Sequence, residues 1–391
     1  MATSTPCAGW SAFCGRVAEL DAGAQPAGVP VDARPGRLAA IRDDLARHDL
    51  DALLVTALPN IRYLTGFSGT SALLVVTAKE CVLLTDFRYA TQVDEEVGSA
   101  ASVRIEATSL WGGLWPALGA MAGVERIGFE SAHVVHRDFA RLLEQGSRWH
   151  WRPIVDLVER RREVKDAGEI TCIERAVAMA ETALASALAQ FRPGLTETAA
   201  AGVLERALRD AGSEAFPFPT IVASGPRSAL PHARAAGRGL ERGDFVLVDF
   251  GAVSDGYCSD ITRTVVLGRA SAEQRDVYDI VREANARASG AVRVGMQGMA
   301  ADAVAREYIA ARGFGEAFGH SLGHGIGLEV HEGPRLARTI ETPLAAGMVV
   351  TIEPGIYRPG WGGVRIEDDV LITESGRRVL TRFSRDLLEL A

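Results

Sequence analysis

The chain has 391 residues, 47% hydrophobic and 24% charged, a balance that suits two folded domains rather than a disordered or fibrous chain. A formal net charge of −8 leaves no basic footprint for nucleic acid or for an anionic membrane surface. No apolar run approaches membrane-spanning length, and the first residues lack a basic stretch followed by an apolar one, so neither a membrane partner nor export is expected. Cys7, Cys14, Cys81, Cys172 and Cys258 are scattered without CxxC spacing, which reads as reduced thiols in a cytoplasmic protein.

Residues 1–34 mix Ala, Gly, Pro and Asp without a period and read as a flexible extension. An amphipathic helix is predicted from Arg37 to His48, with Leu38, Ile41 and Leu45 on one face and Arg42, Asp43 and Asp44 on the other. Strands are predicted at Ala52 to Thr56, Ala72 to Val76 and Cys81 to Thr85, with a turn-rich link, PNIRYLTGFSGT, between the first two. A helix from Tyr89 to Val97, a strand from Val103 to Glu106, a helix from Leu110 to Met121, a strand from Arg126 to Phe129 and a helix from Ala140 to Gln145 follow. This alternation predicts an α/β domain over residues 35–160 with a mixed or parallel sheet. His133, His136, Arg62 and Trp111 carry no local sign of chemistry and read as surface or core residues.

A charged link, VERRREVKDAGEI, opens the second domain, residues 161–391. Helices are predicted from Glu169 to Gln190 and from Thr196 to Ala211, followed by a strand and a loop that carries His232. In FVLVDFGAVSDGYCSDITR an apolar strand ends at Asp249, and a second short segment beyond a glycine-containing turn carries Asp260. A carboxylate at the end of a buried strand costs several kcal/mol unless it is paired or binds a cation. GMVVTIEPGIY closes an apolar run on Glu353 in the same way, and GGVRIEDDVLIT alternates as one strand with Arg365, Glu367 and Asp369 on one face. Between these lies GHSLGHGIGLEVHEGP, which holds His320, His324 and His331. Its glycines exclude a helical metal pair, and the H-E-x-x-H signature is missing, so the segment reads as a loop feeding a strand.

Asp249, Asp260, His324, Glu353 and Glu367 form a hard, oxygen-rich donor set that suits Mn, Fe(II), Co or Zn. Two cations balance four carboxylates better than one, and the chemistry of such a site is hydrolysis by a hydroxide generated at neutral pH.

The order and spacing of these residues, Asp249 and Asp260, then GHGIGLEVHE, then Glu353 in T-I-E-P-G and Glu367 in V-R-I-E-D, resemble the pita-bread metallopeptidases. Within that superfamily, from about Lys165 onward, the chain is similar to the Xaa-Pro peptidases, aminopeptidase P and prolidase. The resemblance implies an α+β pita-bread catalytic domain of two αββ halves behind a smaller creatinase-type N-terminal α/β domain. It also implies two divalent ions, manganese first and Co, Zn or Fe as alternatives, a homodimer, and proline-containing peptides or dipeptides as substrate.

By the same resemblance Asp249 and Glu353 each serve one metal, Asp260 and Glu367 bridge both, and His324 is the imidazole ligand. Glu353 is also the general base and proton shuttle. His331 steadies the tetrahedral intermediate, and His232 matches a family histidine that precedes the aspartate ligands. His320 matches a histidine near the proline pocket, Arg365 an arginine that braces the site, and Arg335 one near the substrate carboxylate.

Two other readings stand beside the Xaa-Pro peptidase. A methionine aminopeptidase is opposed by the N-terminal domain, by His232 with His320, and by Arg365. A binding module that has lost its metals is opposed by acids and an imidazole at all five ligand positions.

Overall fold

The computed structural model describes residues 32–391, so the expected extension lies outside the described residues up to position 31. The first helix, Arg34–Arg47, starts three residues before its predicted beginning, because Pro35 fits a helical first turn where no amide hydrogen is needed. It buries Leu38, Ile41 and Leu45 as expected. Asp44, predicted on the solvent face, is buried as well, and Arg161 reaches it at 2.8 Å.

Six strands follow: β1 (Ala52–Val55), β2 (Ala72–Thr77), β3 (Cys81–Asp86), β4 (Ser102–Glu106), β5 (Arg126–Glu130) and β6 (His150–Ile154). They form one mixed sheet in the order β4-β3-β2-β1-β5-β6, antiparallel across β1–β2 and β2–β3 and parallel elsewhere. Strand β6 escaped the sequence reading because HWRPI does not alternate; it is an edge strand, where Pro153 costs no ladder bond. The link read as turns is a helix, Leu58–Thr65, with Pro59 in its first turn and Gly66 ending it in the left-handed conformation at φ 84°. Helices at Ala90–Val97, Leu110–Ala120 and His136–Glu144 complete the unit. His133 pairs with Glu159, Trp111 packs on Trp115, and the Arg62 guanidinium lies against Gly256 of the second domain.

The second domain carries two helix pairs, Ala167–Leu188 with Glu197–Asp210 and Ala272–Ala291 with Gly298–Ala311. The leading helix of each pair begins with a capping box, Asp166 with Glu169 and Ser271 with Gln274. Its strands are β7 (Ile221–Ser224), β8 (Phe245–Phe250), β9 (Val253–Ser254), β10 (Tyr257–Cys258), β11 (Ile261–Leu267), β12 (Gly323–Gly325), β13 (Glu332–Leu336), β14 (Val349–Ile352), β15 (Gly355–Arg358), β16 (Gly362–Arg365), β17 (Asp368–Thr373), β18 (Gly376–Val379) and β19 (Glu389–Leu390). One sheet has the order β19-β11-β8-β7 and another β13-β12-β14-β17-β18, with β9–β10 and β15–β16 as separate ribbons.

The first helix pair packs with Val246, Val248 and Val265; the second packs with Val266, Val350, Ile352 and Ile372. Each helix pair therefore covers one half of the domain, and the sheets between them form the pita-bread arrangement. The stretch from Gly362 to Thr373 is not the single strand its alternation predicts. It breaks at Ile366 and Glu367, so that β16 pairs with β15 while β17 pairs with β14 and β18. Among the described residues no helix is long and apolar enough to cross a membrane, and Cys81, Cys172 and Cys258 are free thiols.

Gly323 marks the tightest approach of β12 to β14, since a Cβ there would lie 1.9 Å from the Thr351 carbonyl oxygen. Gly323→Ala should therefore destabilise the protein by about 2 kcal/mol or more, the cost of forcing backbone apart in a packed core. A urea denaturation midpoint equal to that of the native protein would contradict this packing.

Candidate metal centre

Strand ends deliver the acids. Asp249 is the penultimate residue of β8, opposite Thr262 of β11, and Asp260 immediately precedes β11. Glu353 follows β14 directly, and Glu367 occupies the break between β16 and β17. His324 stands in the middle of β12, where its backbone amide donates to Thr351 Oγ1 at 3.1 Å. Ligand atoms of Asp260, His324 and Glu367 lie within 4.8 Å of one another. His324 Nε2 is also 3.5 Å from Glu353 Oε1 and 3.7 Å from Asp260 Oδ2.

The tautomer of His324 follows from its partner. Nδ1 lies 3.0 Å from the Gly325 carbonyl, which can only accept, so Nδ1 carries the hydrogen and Nε2 turns a lone pair toward the acids. Burial lowers its pKa to about 3, which keeps the ring neutral. The acids feel the opposite pressure. Burial, joined by the repulsion of neighbouring carboxylates, pushes Asp260 and Glu367 well above the usual carboxylate range, and burial raises Glu353 to about 8. Asp249 and Asp260 each keep one buried carboxyl oxygen, Oδ1, without a hydrogen-bond partner. Crowded acids, orphaned oxygens and a proton-free imidazole nitrogen together fit divalent cations.

Arg365 is the fixed cation of the site. Buried at 3% exposure, it donates through Nη2 to Asp249 Oδ2 at 2.5 Å, through Nε to Thr262 Oγ1 at 3.0 Å, and through Nη1 to Tyr357 Oη at 2.8 Å and the Pro231 carbonyl at 3.1 Å. The Thr262 hydroxyl passes its own hydrogen to Glu367 Oε2 at 2.6 Å. Tyr357, already accepting from Arg365, donates to His320 Nε2 at 2.9 Å, and His320 Nδ1–H donates to the Ser321 carbonyl at 2.8 Å. Burial and the Arg365 charge lower the His320 pKa to about 4, so this chain of bonds is built around a neutral imidazole.

His331 is exposed, with its ring 4.4 Å from that of His324 and inclined by 74°. Partial burial and the charge of Arg335 lower its pKa. Arg335 is the cross-strand partner of His324 in the β12–β13 ladder and is exposed. His232, exposed on the loop whose Pro231 carbonyl Arg365 holds, is close enough for its charge to act on His320 and His331. The structure thus brings Asp260, His324, Glu353 and Glu367 together, holds Asp249 beside them on Arg365, and sets the other candidates around them. The sequence reading missed Tyr357, Thr262 and Asn285. Tyr357 and Thr262 each follow a candidate ligand by a few positions, a signal that was present but unused.

Residues 171–374 match the family model of metallopeptidase family M24, and residues 37–164 match that of the creatinase/prolidase N-terminal domain. The chain belongs to metallopeptidase family M24. The uncharacterized peptidase YqhT of Bacillus subtilis is 40% identical to this M24 chain over 361 residues, which is 90% of this chain and 99% of that protein. Among solved structures, the Xaa-Pro dipeptidase from Bacillus anthracis matches with a TM-score of 0.88 at 38% identity, covering 91% of this chain and all of that one. The X-Pro aminopeptidase from Thermotoga maritima matches with a TM-score of 0.84, also at 38% identity, over 90% of this chain and 99% of that one.

In this M24 site the helix Ala272–Ala291 braces two acids from behind. Asn285, fully buried, donates through Nδ2 to the Ile352 carbonyl at 2.9 Å and the Ile366 carbonyl at 3.1 Å, the residues just before Glu353 and Glu367. Asn285→Leu would remove one hydrogen bond from each of these carbonyls, at about 0.5–1.5 kcal/mol each. The variant should melt at lower temperature and bind Mn(II) at least about tenfold more weakly in calorimetry; native affinity would contradict the brace.

Proposed function

We propose that this chain is an Xaa-Pro peptidase, a metal-dependent hydrolase that cleaves the bond between an N-terminal residue and proline. Prolidase action on dipeptides is the favoured form, and aminopeptidase P action on longer peptides is the alternative. The observation that carries the reading is the convergence of the Asp260, Glu353 and Glu367 carboxyls on the proton-free Nε2 of His324, with Asp249 near enough for its charge to act on Asp260 and Glu353. Asp249, Asp260, His324, Glu353 and Glu367 would hold two divalent ions, and manganese is the expected metal. When bound, the ions supply Lewis-acid polarisation of the scissile carbonyl and a water acidic enough to attack at neutral pH.

The chain's own groups do the rest. Glu353 takes the proton of the attacking water and passes it to the leaving imino nitrogen. His331, next to His324 and open to substrate, donates a hydrogen bond to the carbonyl oxygen as charge builds there, a contribution of about 3–4 kcal/mol for a well-placed donor. Neutral His320, packed edge-on against Phe318, offers the pyrrolidine ring a wall without a charge to desolvate. Arg365 holds Asp249 and Tyr357 in place, and His232 flanks the carbonyl side from the mouth. Arg335 supports the dipeptidase form, because a guanidinium at the rim suits the free carboxylate of an Xaa-Pro dipeptide. A homodimer completes the proposal.

Chelator-stripped protein given back Mn(II) should cleave an Xaa-Pro dipeptide faster than an Xaa-Pro-Yaa tripeptide and leave a Met-Ala-Yaa control intact. Glu353→Gln should lower kcat by at least about 100-fold. Tripeptide cleavage alone would move the chain to the aminopeptidase P form. Cleavage of neither proline substrate by folded, metal-loaded protein would contradict the reading.

A further inference from the structure

The charged link between the domains is not a solvated tether. It forms a short helix, Glu159–Arg162, and then runs along the catalytic sheet, where Val164 bridges to Met348 and the Lys165 amide donates to the Gly347 carbonyl at 2.9 Å. Arg162 and Lys165 are almost completely buried, at 2% and 1% side-chain exposure. Both point at Glu332, which is itself only 6% exposed. Arg162 Nη2 donates to Glu332 Oε1 at 2.5 Å and to Glu329 Oε2 at 2.8 Å, and Lys165 Nζ donates to Glu332 Oε2 at 3.2 Å.

Glu332 is the residue after His331, and the loop before it folds around its carboxylate. Oε1 accepts from the Glu329 amide at 2.9 Å, and Oε2 lies so close to Gly327 that a Cβ there would meet it at 2.7 Å. Glu163 fills the space beside Gly333. On its other side Arg162 Nη1 donates to Asn60 Oδ1 at 2.7 Å, and Asn60 Nδ2 donates to the buried Glu130 at 2.6 Å. A continuous run of hydrogen bonds therefore joins the core of the N-terminal domain to the segment that carries His331.

Buried ion pairs seldom repay their desolvation, and apolar substitutes of similar volume are often as stable. Stability alone thus gives little reason for three buried charges here. We propose that the Arg162–Glu332–Lys165 cluster is a positioning device: the linker clamps Glu332 and so holds the His331 imidazole against His324, where substrate is polarised. This rests on the role given to His331 above. It makes the end of the N-terminal domain a working part of the peptidase site.

Two variants test it, Arg162→Met and the charge-balanced pair Arg162→Met with Glu332→Met, the latter removing one charge of each sign from the cluster. Kinetics are read on the Xaa-Pro dipeptide, melting temperature reports folding, and in metal-free histidine-labelled protein the NMR contact between the His324 and His331 rings reports position. The expected result is a kcat at least tenfold lower, a KM changed less than threefold, a melting temperature within a few degrees of native for the paired variant, and loss of the ring–ring contact. A folded paired variant with kcat within twofold of native, or with the ring contact intact, would overturn the proposal. If the native protein itself cleaves neither proline substrate, the functional reading fails, while the ring contact still decides whether the clamp holds His331.

Discussion

The site is governed by like charges forced together out of water. Four carboxyl groups act on one another, with the Arg365 guanidinium bound to Asp249. Two like unit charges about 4 Å apart repel by about 4 kcal/mol at an effective dielectric of 20, and burial adds the desolvation of each ion. The chain can relieve this by protonation, the direction in which Asp260, Glu353 and Glu367 are pushed, or by binding cations. The lone pair that His324 presents is a ready donor for the second route. The surrounding hydrogen bonds, Arg365 to Asp249, Thr262 to Glu367 and Asn285 behind Glu353 and Glu367, keep the acids from swinging apart to relieve the strain by geometry.

That constraint explains the architecture around it. Acids sit at strand ends because ladder hydrogen bonds satisfy the backbone up to the last residue while the side chain projects beyond the sheet. Two half-domains each contribute, so the cluster exists only when β8 and β11 of one half meet β12, β14 and the β16–β17 break of the other. The linker adds a third element. Through Arg162 and Lys165 it reaches Glu332, the residue after His331, and Arg62 of the N-terminal domain lies against Gly256.

Much of this was legible in the sequence, for physical reasons. A carboxylate closing an apolar run is expensive unless something binds it, which singles out Asp249 and Glu353, and the glycines around His324 exclude a helix. Other features depended on partners that periodicity cannot show. The helix Leu58–Thr65 was hidden because Pro59 and Gly66 are breakers inside a helix but good ends for one. The break at Glu367 was hidden because one alternating pattern served two strands in different sheets. Arg162 read as one charge in a charged link because its partner Glu332 is 170 positions away. Asn285 likewise gains meaning only from the Ile352 and Ile366 carbonyls that the fold brings to it.

The most direct test of this account is a calorimetric titration of chelator-stripped protein with Mn(II), alongside Asp260→Asn and a melting curve of each form. The account predicts two ions per native chain, a higher melting temperature once they bind, and loss of at least one ion in the variant. Folded native protein that takes up no divalent metal, or Asp260→Asn that binds two ions with native affinity, would contradict the claim that the buried acids are held together as a metal centre.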